Sequence, residues 1–166
     1  MSCIRIQTGA SRLVVAFVLL APHAVSASQT AGGSAPPASF ESVNACERVP
    51  GEAVAKGLAG RLLETRPINI KDFAPARCIY TVEIGGTRRA LVLWLNPAND
   101  FEGLRKAADS PVKPVAGVGD AAYSTFDKDS KRYWLRAVKR GKVTVQVSGE
   151  QADWVQAVAG LALSKF

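Results

Sequence analysis

Apolar and polar residues alternate over much of the second half of the chain. Across residues 77–84 (RCIYTVEI), Cys78, Tyr80, Val82 and Ile84 fall on one side and Thr81 and Glu83 on the other. That two-residue period is the mark of a half-buried strand. Gly85, Gly86 and Thr87 turn the chain, and residues 88–96 (RRALVLWLN) return as a more continuously apolar strand. The pair predicts a hairpin whose second strand lies inside a sheet, covered on both faces. A second hairpin is predicted over residues 131–139 and 142–148, where Val143, Val145 and Val147 alternate with Thr144, Gln146 and Ser148. Such clean alternation predicts one wet face. A further strand ends the stretch 115–126.

Helical spacing appears in three places. Val54, Leu58 and Leu62 fall at i, i+4 and i+8, with Ala55, Ala59 and Leu63 beside them. Pro50 and Glu52 suit a helix start, and Arg66-Pro67 is the expected stop. A short helix is expected over 97–108, with Phe101, Leu104 and Ala108 on one side. The last is expected over 151–165, burying Trp154, Val155, Val158, Leu161 and Ala162. The predicted fold class is α+β, a mostly antiparallel sheet of about five strands packed by helices, in the order α-β-β-α-β-β-β-α.

The N-terminus reads differently. Arg5 and Arg12 precede a nine-residue apolar run, 13–21 (LVVAFVLLA), and then Ala24-Val25-Ser26-Ala27. Basic segment, short apolar core and small-residue site together describe a secretory signal peptide, cleaved near Ala27. The run falls short of the roughly 20 residues a spanning helix needs, so no transmembrane anchor is expected after cleavage. Residues 28–44 begin with SQTAGGSAPPAS, too small and polar to bury apolar area, and are expected to form a flexible tail. Residues 45–166 are expected to be a single domain with one core, and the protein to be periplasmic or secreted.

Cleavage changes the chemistry on offer. It removes His23, the one histidine, and Cys3, leaving Cys46 and Cys78. In an oxidising compartment that pair is expected to form a disulfide rather than two buried thiols. Closing a loop of 33 residues, it is worth about 3–4 kcal/mol by loop entropy. Arg5 and Arg12 leave as well, taking the formal net charge from +7 to +5. An exported basic protein is not expected to meet nucleic acid. Another envelope protein or an anionic envelope polymer is the candidate partner, against a basic surface that serves solubility alone.

Without histidine, Ser–His and Cys–His nucleophilic systems are absent, and zinc loses its usual ligands. The cysteines are not a CxxC. Glu83, Asp100, Glu102, Asp109, Asp120, Asp127 and Asp129 could in principle supply paired carboxylates, but their spacing predicts no convergence. No catalytic residue, metal or cofactor is therefore expected.

Two stretches remain. In Gly117-Val118-Gly119-Asp120 the glycines permit positive φ. The stretch lacks GK[ST] and precedes a strand, which disfavours a phosphate loop. A tight bend with Asp120 bonding nearby backbone N–H groups is the structural alternative. The strand Lys131-Arg132-Tyr133-Trp134-Leu135-Arg136 interleaves cations with aromatics. Its exposure depends on hairpin register. A two-residue turn (Arg140-Gly141) puts Arg136 on the valine face. A three-residue turn including Lys142 pairs Ala137 and Leu135 with Val145 and Val147, and sets Trp134 and Arg136 beside Thr144 and Gln146. Keeping Arg136 out of the core favours the second. The candidate binding surface is then Arg132, Trp134, Arg136 and Gln146, unless the last helix or the tail covers Trp134.

Cys46 before the first helix, Cys78-x-Tyr80 opening the hairpin, and Gly117-Val118-Gly119-Asp120-Ala121-Ala122-Tyr123 together resemble a group of small secreted bacterial domains of unknown function. Many of these are lipoproteins, and extracellular sensor domains of some actinobacterial kinases look similar. The chain departs from the group in lacking a lipid-acceptor cysteine. The resemblance implies an antiparallel α/β sandwich with a structural disulfide and no catalytic residues to carry over. The expectation for function is an exported, non-enzymatic binding or interaction module of the cell envelope. The alternatives are an inhibitor or immunity-type protein against an envelope or extracellular enzyme, and a carboxylate-based hydrolase.

Overall fold

The computed structural model describes residues 43–68 and 76–166. The expected signal peptide and all but the last two residues of the expected tail lie outside the described residues. The order of elements is α1 (Ala45–Arg48), α2 (Gly51–Gly57), β1 (Arg61–Ile68), β2 (Ala76–Ile84), β3 (Thr87–Asn96), α3 (Asp100–Lys106), β4 (Lys113–Pro114), β5 (Ala121–Asp127), β6 (Arg132–Lys139), β7 (Val143–Gly149) and α4 (Ala152–Leu163). The strands form one antiparallel sheet in the order β1-β2-β3-β7-β6-β5-β4. The α+β class and antiparallel sheet match the sequence reading. The strand count and order do not.

The largest correction falls on the first helix. It stops at Gly57 instead of running to Arg66. Ala59 takes the left-handed conformation (φ 50°), and Gly60 N–H donates back to Ala55 O at 2.9 Å. This is a C-terminal cap of the Schellman type. A side chain at Gly60 would fall 2.6 Å from Val82 Cγ1 and 2.7 Å from Glu83 O. The chain leaves as edge strand β1, where Leu62 faces Val82 across the ladder and packs on the core. Leu62 thus mimics the next turn of a helix while being a strand residue. Register slips between Leu62 and Glu64, and the bulge leaves Leu63 exposed. Pro67 is tolerated because β1 is an edge strand.

Two further differences are smaller. A two-residue strand, β4, lies just before the 115–126 stretch and pairs with β5 within it, and the four-residue α1 precedes the expected first helix. β3 lies inside the sheet as expected, with Leu91, Leu93 and Leu95 fully buried and Ala90, Val92 and Trp94 half-buried.

The main core occupies one face of the sheet. Val82, Tyr80, Cys78, the β3 leucines, Val143, Val145, Val147, Leu135 and Ala137 meet Val54, Ala55 and Leu58 of the α2 segment and Val155, Val158, Ala159, Ala162 and Leu163 of α4. Trp154 and Leu161, expected in the stripe of α4, are half-buried beside it. A smaller core of Phe101, Tyr123 and Val138 lies on the opposite face, under α3.

The residues of Cys78-x-Tyr80 point to one side of β2 and bind the same segment twice. Cys78 is disulfide-bonded to Cys46, with Cα atoms 5.2 Å apart. The buried Tyr80 hydroxyl donates to Val49 O at 2.7 Å. Asn44 caps α1 by accepting from the N–H groups of Cys46 and Glu47. A four-residue helix with little apolar surface is thereby fixed to the sheet. Among the described residues no helix is long and apolar enough to cross a membrane.

Two outcomes are expected for this anchor. Replacing both cysteines with alanine lowers unfolding free energy by about 2–5 kcal/mol in urea titration, and reductant does the same to the wild type. Burial pushes the Tyr80 phenol above its ordinary 10.0, so its proton is held more tightly folded than unfolded. That contribution is complete below pH 10.0 and is lost as pH rises beyond it. Tyr80→Phe is therefore expected to flatten the alkaline loss of stability, at a cost of about 1–3 kcal/mol at neutral pH for the stranded Val49 carbonyl.

Candidate functional site

The hairpin of β6 and β7 carries the site, and its register decides what faces where. Lys142 N–H donates to Lys139 O at 3.0 Å, and Leu135 pairs with Val147, Ala137 with Val145 and Arg136 with Gln146. This is the three-residue turn. Leu135 and Ala137 join the valines in the main core, while Trp134 and Arg136 share the other face with Gln146 and Ser148.

That other face is drier than the alternation implied. β7 lies between β3 and β6, and Thr144, Gln146 and Ser148 are all buried, with only 8 % of Gln146 exposed. Gln146 is therefore not a surface residue. It accepts from Arg136 Nε at 2.9 Å. Arg132 is also committed within the fold. Its Nε donates to Ser148 Oγ at 2.8 Å, and its Nη2 lies 3.0 Å from Ala90 O and 3.1 Å from Ser148 O. It closes the strand ends where the β3–β7 ladder stops at Val92 and Ser148. Buried polar groups need partners, and two arginines of β6 supply them.

Trp134 and Arg136 are half-buried. Trp134 stacks on Trp94, ring centroids 5.0 Å apart and planes 30° from parallel. The two reach each other diagonally over β7. α4 packs on the opposite face, so the last helix does not cover Trp134. The Arg136 guanidinium carbon lies 5.4 Å from the Trp134 ring centre and 5.6 Å from that of Tyr123, distances at which a cation is attracted by the ring face. Burial raises the Tyr123 phenol above its ordinary value, an effect the Arg136 charge partly opposes.

An open cavity of about 580 Å³ sits over these residues. Thr125, Trp134 and Arg136 line it from the sheet. Residues 107–111, which follow α3, line it as well, as do Phe126 and Asp127 at the end of β5 and Lys128 and Asp129 in the turn that follows. The volume falls in the range of small-molecule sites. Arg136 makes no ion pair among the described residues. Beyond the Gln146 bond it has only a longer 3.5 Å contact to Thr125 Oγ1, out of five N–H donors. Asp127 is engaged in its own turn, accepting from Asp129 N–H, Ser130 N–H and Ser130 Oγ.

Gly117, Gly119 and Asp120 stand apart from this cavity and build a bend. Gly119 has φ +64°, and a Cβ there would fall 2.6 Å from Val138 O. Asp120 N–H donates to that same oxygen at 2.9 Å, and Asp120 Oδ2 accepts from Arg140 N–H at 2.8 Å. Asp120 thus fastens the β6–β7 turn to the start of β5, and Val118 enters the main core. No group of three or more metal-ligating side chains gathers among the described residues.

Residue spacing alone did not single out Trp94, Tyr123 or Thr125 for this surface. Trp94 alternates with the core leucines, which places it on the second face, but its contact with Trp134 needs the β3–β7 pairing. Comparison with family models, with curated proteins and with solved structures finds no match. The fold and site therefore define the protein as a disulfide-linked α+β domain with a seven-stranded antiparallel sheet, cored on one face and carrying an arginine-centred cavity on the other.

Gly119→Ala is expected to destabilise by about 1–3 kcal/mol in chemical denaturation, combining a strained φ with the clash against Val138 O. At the cavity rim, hydrogen bonds from the Ser130 hydroxyl, then from the Ser130 and Asp129 backbones, hold the Asp127 carboxyl below its ordinary 3.8. Its hold on the turn is complete above that value and is lost as pH falls through the lowered one. The Asp127 carboxyl carbon resonance, followed by NMR, should titrate at lower pH in the folded protein than in the urea-unfolded chain.

Proposed function

We propose that the protein is an exported, non-enzymatic binding module of the cell envelope, and that the cavity over Trp134 and Arg136 is its binding element. The observation that carries this reading is Arg136 itself. A half-buried guanidinium, oriented by Gln146 and two aromatic rings and ion-paired with no carboxylate among the described residues, faces a cavity of ligand size with donors to spare. Orienting a cation this way inside the fold is costly unless the charge is used. The disulfide supports an oxidising compartment. The resemblance of Cys46, Cys78-x-Tyr80 and the Gly117–Tyr123 stretch to small secreted bacterial domains points the same way.

The test is retention of envelope components on immobilised protein. Arg136→Gln keeps a side chain able to bond Gln146 and removes the charge. It is expected to keep the circular dichroism spectrum and to lose at least one component that the wild type retains from envelope extract. Equal retention by both proteins contradicts the assignment of the cavity.

A further inference from the structure

Resting on that reading, we infer that the cavity takes a small zwitterion of the amino-acid class: one carboxylate, one ammonium and an apolar or aromatic side group. The argument starts from the charges around the opening. Arg136 and Lys128 are positive, and Asp109, Asp127 and Asp129 are negative. Such a near-balanced rim repels an extended polyanion about as much as it attracts one, despite the basic character of the chain as a whole.

The charges are also sorted by position. Arg136 issues from the sheet, beneath the opening, with unassigned N–H donors in the planar fork that matches a carboxylate. The acids belong to the loops. Asp127 is occupied within its own turn, whereas Asp109 and Asp129, both lining the cavity, make no ion pair and no side-chain hydrogen bond among the described residues. They are exposed and free to meet an ammonium. A ligand carrying both groups would satisfy the cation and the acids together, where a simple anion would leave the acids facing its charge. The remaining surface suits an apolar or aromatic group. Ala107, Ala108 and Pro111 line it together with the Trp134 ring, while the Phe126 ring lies on the other sheet face against Tyr133, 4.8 Å between ring centres.

Isothermal titration calorimetry with four probes tests this on the full chain as expressed and exported: phenylalanine, N-acetyl-phenylalanine, phenylalanine amide and inorganic phosphate. Phenylalanine is expected to bind, and each analogue lacking one charge to bind at least about tenfold more weakly, the ratio one partly buried charge contact provides. Arg136→Gln should weaken phenylalanine by a similar factor. Replacing Asp109 and Asp129 together with asparagine should abolish the preference for phenylalanine over its N-acetyl form while leaving the N-acetyl form bound as before. Equal binding of charged and blocked analogues, phosphate binding in preference to phenylalanine, or no heat from phenylalanine at millimolar concentration overturns the zwitterion assignment. The binding-module reading survives those results if Arg136-dependent retention from envelope extract persists, and falls with the inference if it does not.

Discussion

Strand β7 is buried on both faces, and on one of them it presents Thr144, Gln146 and Ser148. Three polar side chains at the middle of a seven-stranded sheet need partners that water does not supply. The fold meets this need with the neighbouring elements. Thr144 donates to Ala98 O on the way into α3, Gln146 accepts from Arg136, and Ser148 accepts from Arg132. Replacing these residues with valines would remove the need, and would also remove the reason for two arginines to lie flat on a sheet face. The second face is polar in its design and only partly covered, and the site follows from that.

The first face makes this arrangement affordable. α2 and α4 cover it, the β3 leucines and β7 valines fill it, and the disulfide with the Tyr80 hydroxyl fastens the N-terminal helices to β2. With stability concentrated there, the other face is free to carry a cavity and a charge that contribute little to folding. The bend at Gly119 and Asp120 joins the two halves of that logic. It sends Val118 into the core and anchors the β6–β7 turn, so the register that brings Arg136 opposite Gln146 is fixed at both ends.

Much of this was legible in the residues. The period-two pattern over 77–84 and 143–148 located β2 and β7, the paired cysteines were matched to each other, and the need to keep Arg136 out of the core selected the hairpin register. What escaped was set by contacts distant in sequence. Leu62 continues the helical stripe of Val54 and Leu58, and only the close approach of Gly60 to Val82 and Glu83 shows why the helix ends earlier. The alternation in β7 is the same whether its polar side faces water or other strands, so Gln146 looked exposed until β3 was seen beside it. Trp94 lies 40 positions from Trp134 and Tyr123 lies 13 from Arg136, separations that no local pattern encodes.

The central claim is that Arg136 is fixed in place by Gln146 and two aromatic rings while its remaining donors face the cavity. Direct detection of the Arg136 Nε–H group by nitrogen-15 NMR tests it. A fixed guanidinium gives one resolved, slowly exchanging Nε–H signal at neutral pH, shifted by the rings of Trp134 and Tyr123 and lost to exchange in Gln146→Leu. An Arg136 signal averaged with solvent-exposed arginines in the wild type, or unchanged by Gln146→Leu, would contradict the account.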